Sequence, residues 1–245
     1  EGYGYTVATE MYSAGIERLT HQPLSFSVSE TTEGVHIHII DAELMGKGEK
    51  EKKDLYIEGV QNNGIINHYE YIINSEGTIE IRHVLKPEGK MPLWFPRIGL
   101  TLTVSDALDQ VKWYGRGPQE NYPDRKTGYP MGIYASTVQA MYEPYLMPQD
   151  YGLRTDVRWL QLTTDKGIGL QFKMNEWFNF NIYPYSTDNL TKAMYTYQLQ
   201  KQKGMTLNLD YATTGVGCTA RGVFGAYKAM PQEYRRTISI RPMMK

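Results

Sequence analysis

The chain has 245 residues, 41% hydrophobic and 22% charged, the composition of an ordinary soluble globular protein with room for one large core. Its 26 basic and 27 acidic residues leave a net charge of −1, so nothing attracts a polyanion and a nucleic-acid partner is excluded. The apolar runs are too short to cross a bilayer, and the single cysteine, Cys218, excludes both an internal disulfide and a cysteine-built metal cluster.

The N-terminus, Glu1-Gly2-Tyr3-Gly4-Tyr5, has no initiator methionine, basic segment or apolar segment. It reads as a processed chain or an excised piece, and it does not discriminate between cytoplasm and periplasm. Val7, Met11, Ile16 and Leu19 have a loose helical spacing and predict one short helix within residues 6–19. Beyond Pro23 the period changes to two. Leu24, Phe26 and Val28 alternate with serines, Thr31 to Gly34 turn, and Val35, Ile37 and Ile39 alternate with His36 and His38, which predicts a hairpin. Residues 46–53 are a charged, solvated connection. Strands follow at Tyr56 to Val60 and Ile65 to Ile73 around an Asn62-Asn63-Gly64 turn. Asn74 to Gly77 turns into a strand over Thr78 to Leu85.

A strand runs through Val104, another over Val111 to Tyr114, and a third over Met131 to Val138. Val157 to Thr163 and Ile168 to Met174 pair around Thr164 to Gly167, and Trp177 to Ile182 forms a further strand. Thr187 or Asp188 caps a helix that extends to about Leu199. Met205 to Asp210 and Arg235 to Arg241 close the chain as strands. Dense turns, short strands and no linker tract predict a single all-β sandwich domain spanning 1–245. The 20 tyrosines suit a large sheet, since tyrosine favours strands.

Chemistry concentrates in Trp113-Tyr114-Gly115-Arg116-Gly117-Pro118-Gln119-Glu120-Asn121-Tyr122-Pro123-Asp124-Arg125. Turns fix this stretch, and it carries arginines, acids and amides between aromatics. Glu120 and Asp124 are the carboxylates to weigh for a paired acid–base role. Arg116 and Arg125 sit beside them and would lower carboxylate pKa values, whereas a general acid needs a raised one. The alternative is that the loop acids bond to the arginines and to backbone, and hold a shape. His36 and His38 share a strand face and could ligate a metal, but no third ligand lies nearby in sequence, so no metal or other cofactor is expected. Nucleophile elbows, phosphate loops and dinucleotide fingerprints are absent from the sequence.

The central stretch closely resembles the signature of the C-terminal domain of glycoside hydrolase family 2 β-galactosidases. Pro96-Arg97-Ile98-Gly99-Leu100, Tyr142-Glu143-Pro144-Tyr145 with Pro148 and Gly152-Leu153-Arg154, Leu207-Asn208-Leu209-Asp210 and Gly215-Val216-Gly217 extend the resemblance over residues 96–217. The resemblance implies a large twisted β-supersandwich of the galactose mutarotase type. It also implies that the catalytic glutamates belong to a (β/α)₈ barrel not present in this chain. The chain is then a C-terminal fragment, inactive alone, that shapes the sugar pocket rim and subunit contacts of a homo-oligomeric enzyme acting on β-galactosides. Arg116, Glu120, Asn121, Asp124 and Arg125 become rim residues or structural anchors. Cys218, Thr219 and Arg221 become the sugar-facing edge, where relatives continue Gly-Asp-Asp-Ser-Trp and this chain reads Cys218-Thr219-Ala220-Arg221-Gly222. Tyr195 stands where many relatives have histidine.

Two other readings stay open. A free-standing carbohydrate-binding module would use Trp94, Trp113, Trp159 or Trp177 as stacking platforms. An aldose epimerase-like enzyme would use His68 or His83 as acid with a glutamate base.

Overall fold

A computed structural model describes residues 11, 14–16, 19–45, 63–217 and 222–244. The helix expected within 6–19 falls largely outside these residues, as do the strand at 56–60, the charged connection at 46–53, and Cys218, Thr219 and Arg221. The architecture is all-β and antiparallel, as the alternation predicts.

The chain divides into two compact units, one from Glu1–Pro96 with Cys218–Ile238, the other from Arg97–Gly217 with Ser239–Lys245. In the first, β1 (Thr20–Thr31), β2 (Gly34–Leu44), β3 (Gly64–Ile73) and β4 (Ile79–Glu88) form an antiparallel meander. Gly34 takes φ 135°, which a β-carbon would not tolerate, and this sets the tight β1–β2 turn. Ile65, Ile81 and Leu85 bury the inner face, while Leu24, Phe26 and Val28 of edge strand β1 stay exposed.

In the second unit the strand order is β7 (Met131–Thr137), β6 (Gln110–Arg116), β8 (Arg154–Thr163), β9 (Gly169–Tyr183), β10 (Met205–Thr213) and β5 (Arg97–Val104), every pair antiparallel. Trp113, Leu153, Val157, Leu160, Leu162, Phe178, Phe180, Leu207 and Leu209 are buried within it. At about 1.5–3 kcal/mol for each fully buried large apolar side chain, burial is the main stabilising contribution. The last strand, β11 (Tyr234–Met243), contributes to both units.

Several strand ends shift by a few residues, and two elements differ more from the sequence reading. The strands expected at 168–174 and 177–182 are one 15-residue strand, β9, and the irregularity is absorbed by register shifts against β8 between Arg154 and Trp159. The helix α1 covers only Thr187–Lys192, and its cap is Ser186, whose hydroxyl accepts from the Asn189 N–H at 3.0 Å. It stops early because side chains take over the next backbone amides. Gln198 Oε1 accepts from the N–H groups of Met194 and Tyr195 at 2.8 and 3.0 Å, and Asn189 Oδ1 accepts from Gln200 N–H at 2.8 Å.

Candidate functional site

The central stretch leaves β6 at Arg116, passes Gly117 and Pro118, and folds back through a Tyr122–Arg125 bridge. Trp113 anchors its base. The ring is buried, packs edge-on to Phe180 at 5.9 Å, and its Nε1–H donates to the Arg116 carbonyl at 3.0 Å. Beneath it lies Arg154, a buried guanidinium that donates to the Pro118 and Gly152 carbonyls at 3.1 and 2.9 Å and sits 5.5 Å from the Trp113 ring centre. Burial pulls its pKa down to about 10, against the pull of Glu143 and Glu120.

Glu120 is the hub. Its Oε1 accepts from Arg125 Nη2 at 3.1 Å and from the Tyr145 hydroxyl. Its Oε2 accepts from the Tyr122 hydroxyl at 3.1 Å and the Gly152 N–H at 2.8 Å. Four donors saturate a carboxylate that is only 7% exposed. The tyrosines register it, since burial and the neighbouring carboxylate raise the phenol pKa of Tyr122 and push that of Tyr145 up to about 12. Asn121 is fully buried and stitches the loop to β8, accepting from Thr155 through both backbone N–H and hydroxyl.

Arg116 and Arg125 are not paired to one common acid. Arg116 Nε donates to Asp156 at 2.6 Å, and Lys126 reaches the same carboxylate at 2.8 Å. Burial of Asp156 acts to raise its pKa, but the two cations outweigh it and hold the carboxyl below its ordinary value. Asp156 also takes a left-handed backbone, φ 56°.

Asp124 faces a different segment. Its two oxygens accept from the N–H groups of Val216 and Gly217 at 3.1 and 2.7 Å. These are the last amides before Cys218. A β-carbon on Gly215 would lie 2.3 Å from the Asp124 carboxyl carbon, so only glycine lets the carboxylate reach the turn. Gly215→Ala should therefore cost about 1–3 kcal/mol in urea unfolding, because the carboxylate must leave the two amides or the turn must shift.

A second polar cluster was not evident in the sequence. Thr101 of β5, Asn208 of β10 and Asn181 of β9 are register partners across three strands. Thr101 donates to Asn208 Oδ1 at 2.7 Å, and Asn208 Nδ2 donates to Asn181 Oδ1 at 2.8 Å. Arg97 joins at one end, donating to Asp210 at 2.9 Å, and lies 3.4 Å from Asp150. Asp210 is 1% exposed, and burial pushes its carboxyl up to about 6 although Arg97 opposes this. The sequence signal was asparagine and aspartate at alternate positions inside apolar strands, where strand propensity disfavours them.

In the first unit β3 supplies Glu70 beside His36 and His38, the third ligand that sequence spacing could not place. His83 is buried, its Nε2 is 3.1 Å from Asn67 Oδ1, and burial lowers its pKa to about 4. That is a neutral core histidine, whereas His68 is exposed. Of the tryptophans, Trp94 and Trp113 are core residues. Trp177 is 59% exposed, with the Arg158 guanidinium 3.4 Å above its ring centre.

Against known proteins, the family model described as beta galactosidase small chain matches residues 10–240. The chain belongs to the β-galactosidase small chain family. A β-galactosidase from Priestia megaterium is 38% identical over 147 residues, covering 60% of this chain and 14% of that protein. One from Vibrio cholerae is 39% identical over 122 residues, covering 50% and 11%. The chain thus corresponds to a small part of the length of these β-galactosidases. Among solved structures, a GalM/aldose epimerase homologue from C. elegans aligns with TM-score 0.43 and 12% identity over 90% of this chain and 69% of that one. Galactose 1-epimerase from Lactobacillus acidophilus aligns with TM-score 0.44 and 9% identity over 92% and 66%. The Glu120-centred network described above lies within the residues that the family model matches. In this member of the family its acids are occupied by structural donors.

Proposed function

We propose that this domain serves a retaining β-galactosidase as a non-catalytic part, shaping the rim of a sugar pocket while the double displacement is carried by a barrel on other polypeptide. The observation that carries this reading is the saturation of Glu120. A carboxylate holding four donors has no lone pair left for a leaving-group proton or a nucleophilic attack. Asp124 is likewise committed to two backbone amides. Its place supports a rim role, because it fixes the chain entering Cys218, Thr219 and Arg221, the stretch that would face the galactoside. Oligomer contacts belong to the same proposal.

The test is reconstitution. The chain alone should give no hydrolysis of an aryl β-galactoside. A barrel-bearing polypeptide lacking this domain should be impaired, and combining the two should restore turnover. Turnover by this chain alone, or a fully active barrel without it, would overturn the reading.

A binding module is the second reading, favoured by one exposed strip. Tyr114 and Trp159 are register partners, and Trp177 lies near them with Arg158 over both Tyr114 and Trp177. Titration with galactose, lactose and a polysaccharide panel separates the two readings, since only a module binds glycans without the barrel.

A further inference from the structure

We propose that His36, His38 and Glu70 form a site for a divalent transition metal on the outer face of the β2–β3 pair, independent of any role in glycoside hydrolysis. The site is built by register. His36 and His38 are two apart on β2 and share a face. Glu70 is the direct cross-strand partner of His38, and its neighbour Ile72 partners His36. One carboxylate therefore meets both imidazoles.

The geometry suits a metal better than it suits hydrogen bonds. One candidate ligand atom from each residue lies within 4.8 Å of the other two. Glu70 Oε1 is 3.5 Å from His36 Nδ1 and 3.9 Å from His38 Nε2. Both gaps exceed a good N–H···O distance of about 2.9 Å. Ligands of a tetrahedral ion at about 2.0–2.1 Å stand about 3.4 Å apart, close to the two Glu70–imidazole distances. The other oxygen, Oε2, is held by Arg82 Nη1 at 3.1 Å, which orients the carboxylate and leaves Oε1 toward the histidines.

A second observation comes from the far side of His36. Its Nε2 is buried with no hydrogen-bond partner, and the Glu33 carboxylate lies 4.0 Å away. A ligating imidazole places its other N–H against a carboxylate, so binding through Nδ1 would turn that orphan nitrogen into a donor to Glu33. His36 has 13% of its side chain exposed and His38 has 50%, so the site is closed beneath and open above. The open side leaves room for a water ligand. Two imidazoles and one carboxylate select zinc, cobalt, nickel or copper over magnesium or calcium, which prefer all-oxygen sites.

The experiment is calorimetric titration of the full chain with zinc chloride, with cobalt absorption as a spectroscopic check of imidazole ligation. The expected result is one ion per chain with a micromolar or tighter Kd, unchanged by excess magnesium. Glu70→Gln, which keeps its shape and the Arg82 contact, and His38→Ala, at a half-exposed position, should each weaken binding at least about tenfold. His21→Ala is the control. His21 is exposed and lies 3.6 Å from Asp41 and 3.9 Å from Glu43, a histidine with acids but no second imidazole. The proposal is overturned if no stoichiometric binding is seen. It is also overturned if His21→Ala weakens binding as much as His38→Ala, or if Glu70→Gln and His38→Ala bind zinc like the unaltered chain.

Discussion

Glu120→Ala is expected to lower the stability of the second unit by about 3–5 kcal/mol, read by urea unfolding with Trp113 fluorescence as the local probe. Two effects add. The Gly152 N–H and the Tyr122 hydroxyl lose their acceptor in a buried place, and each orphaned donor costs about 1–3 kcal/mol. Arg125 loses its charge partner, which contributes less because the guanidinium is half-exposed. Glu120→Gln should cost about 2–3 kcal/mol. It keeps one acceptor oxygen but points an NH₂ group at donors. A proton-transferring Glu120 would behave in the opposite way, since the amide would leave stability nearly unchanged and remove rate.

The second large effect is on pH dependence. Asp210 has a carboxyl raised to about 6 by burial, against 3.8 for an ordinary aspartate. Between those values the folded chain holds a proton that the unfolded chain has released. The folded state binds more protons there, so this group's contribution to stability falls as pH rises through the window. The size is on the order of 2–3 kcal/mol. Asp210→Asn removes the titration. The stability of the unaltered chain minus that of Asp210→Asn should therefore fall as pH rises from about 4 to 6.5. A difference that grows with pH would mean that Arg97, 2.9 Å away, pulls the carboxyl below its ordinary value instead.

These effects bear on what could be read from sequence. The strands were legible because their signal is local. Val35, Ile37 and Ile39 alternate, Thr31 to Gly34 turn, and β1 and β2 follow. The limits of α1 were not legible, because Asn189 and Gln198 end it through bonds to amides several residues away. Central-loop chemistry was half legible. The sequence showed acids beside arginines. It did not show that Arg116 pairs with Asp156, or that Glu120 is saturated by Tyr145 and Gly152, 25 and 32 residues downstream.

The row from Thr101 through Asn208 to Asn181, and the meeting of Glu70 with His36 and His38, depend on strand register. Spacing within one strand could find the histidines, and only the pairing with β3 brings the carboxylate. The family resemblance singled out the central loop, and the structure places its acids on hydrogen-bond donors from Tyr122, Arg125, Tyr145, Gly152, Val216 and Gly217. The edge at Cys218, Thr219 and Arg221 lies outside the described residues.

The most direct test of the central claim is the rate of aryl β-galactoside hydrolysis by the reconstituted enzyme carrying Glu120→Gln, measured below the unfolding range. The account predicts that turnover tracks the folded fraction, with an unchanged pH optimum, and that the chain alone is inactive with either residue. Fully folded Glu120→Gln enzyme with turnover abolished would contradict it.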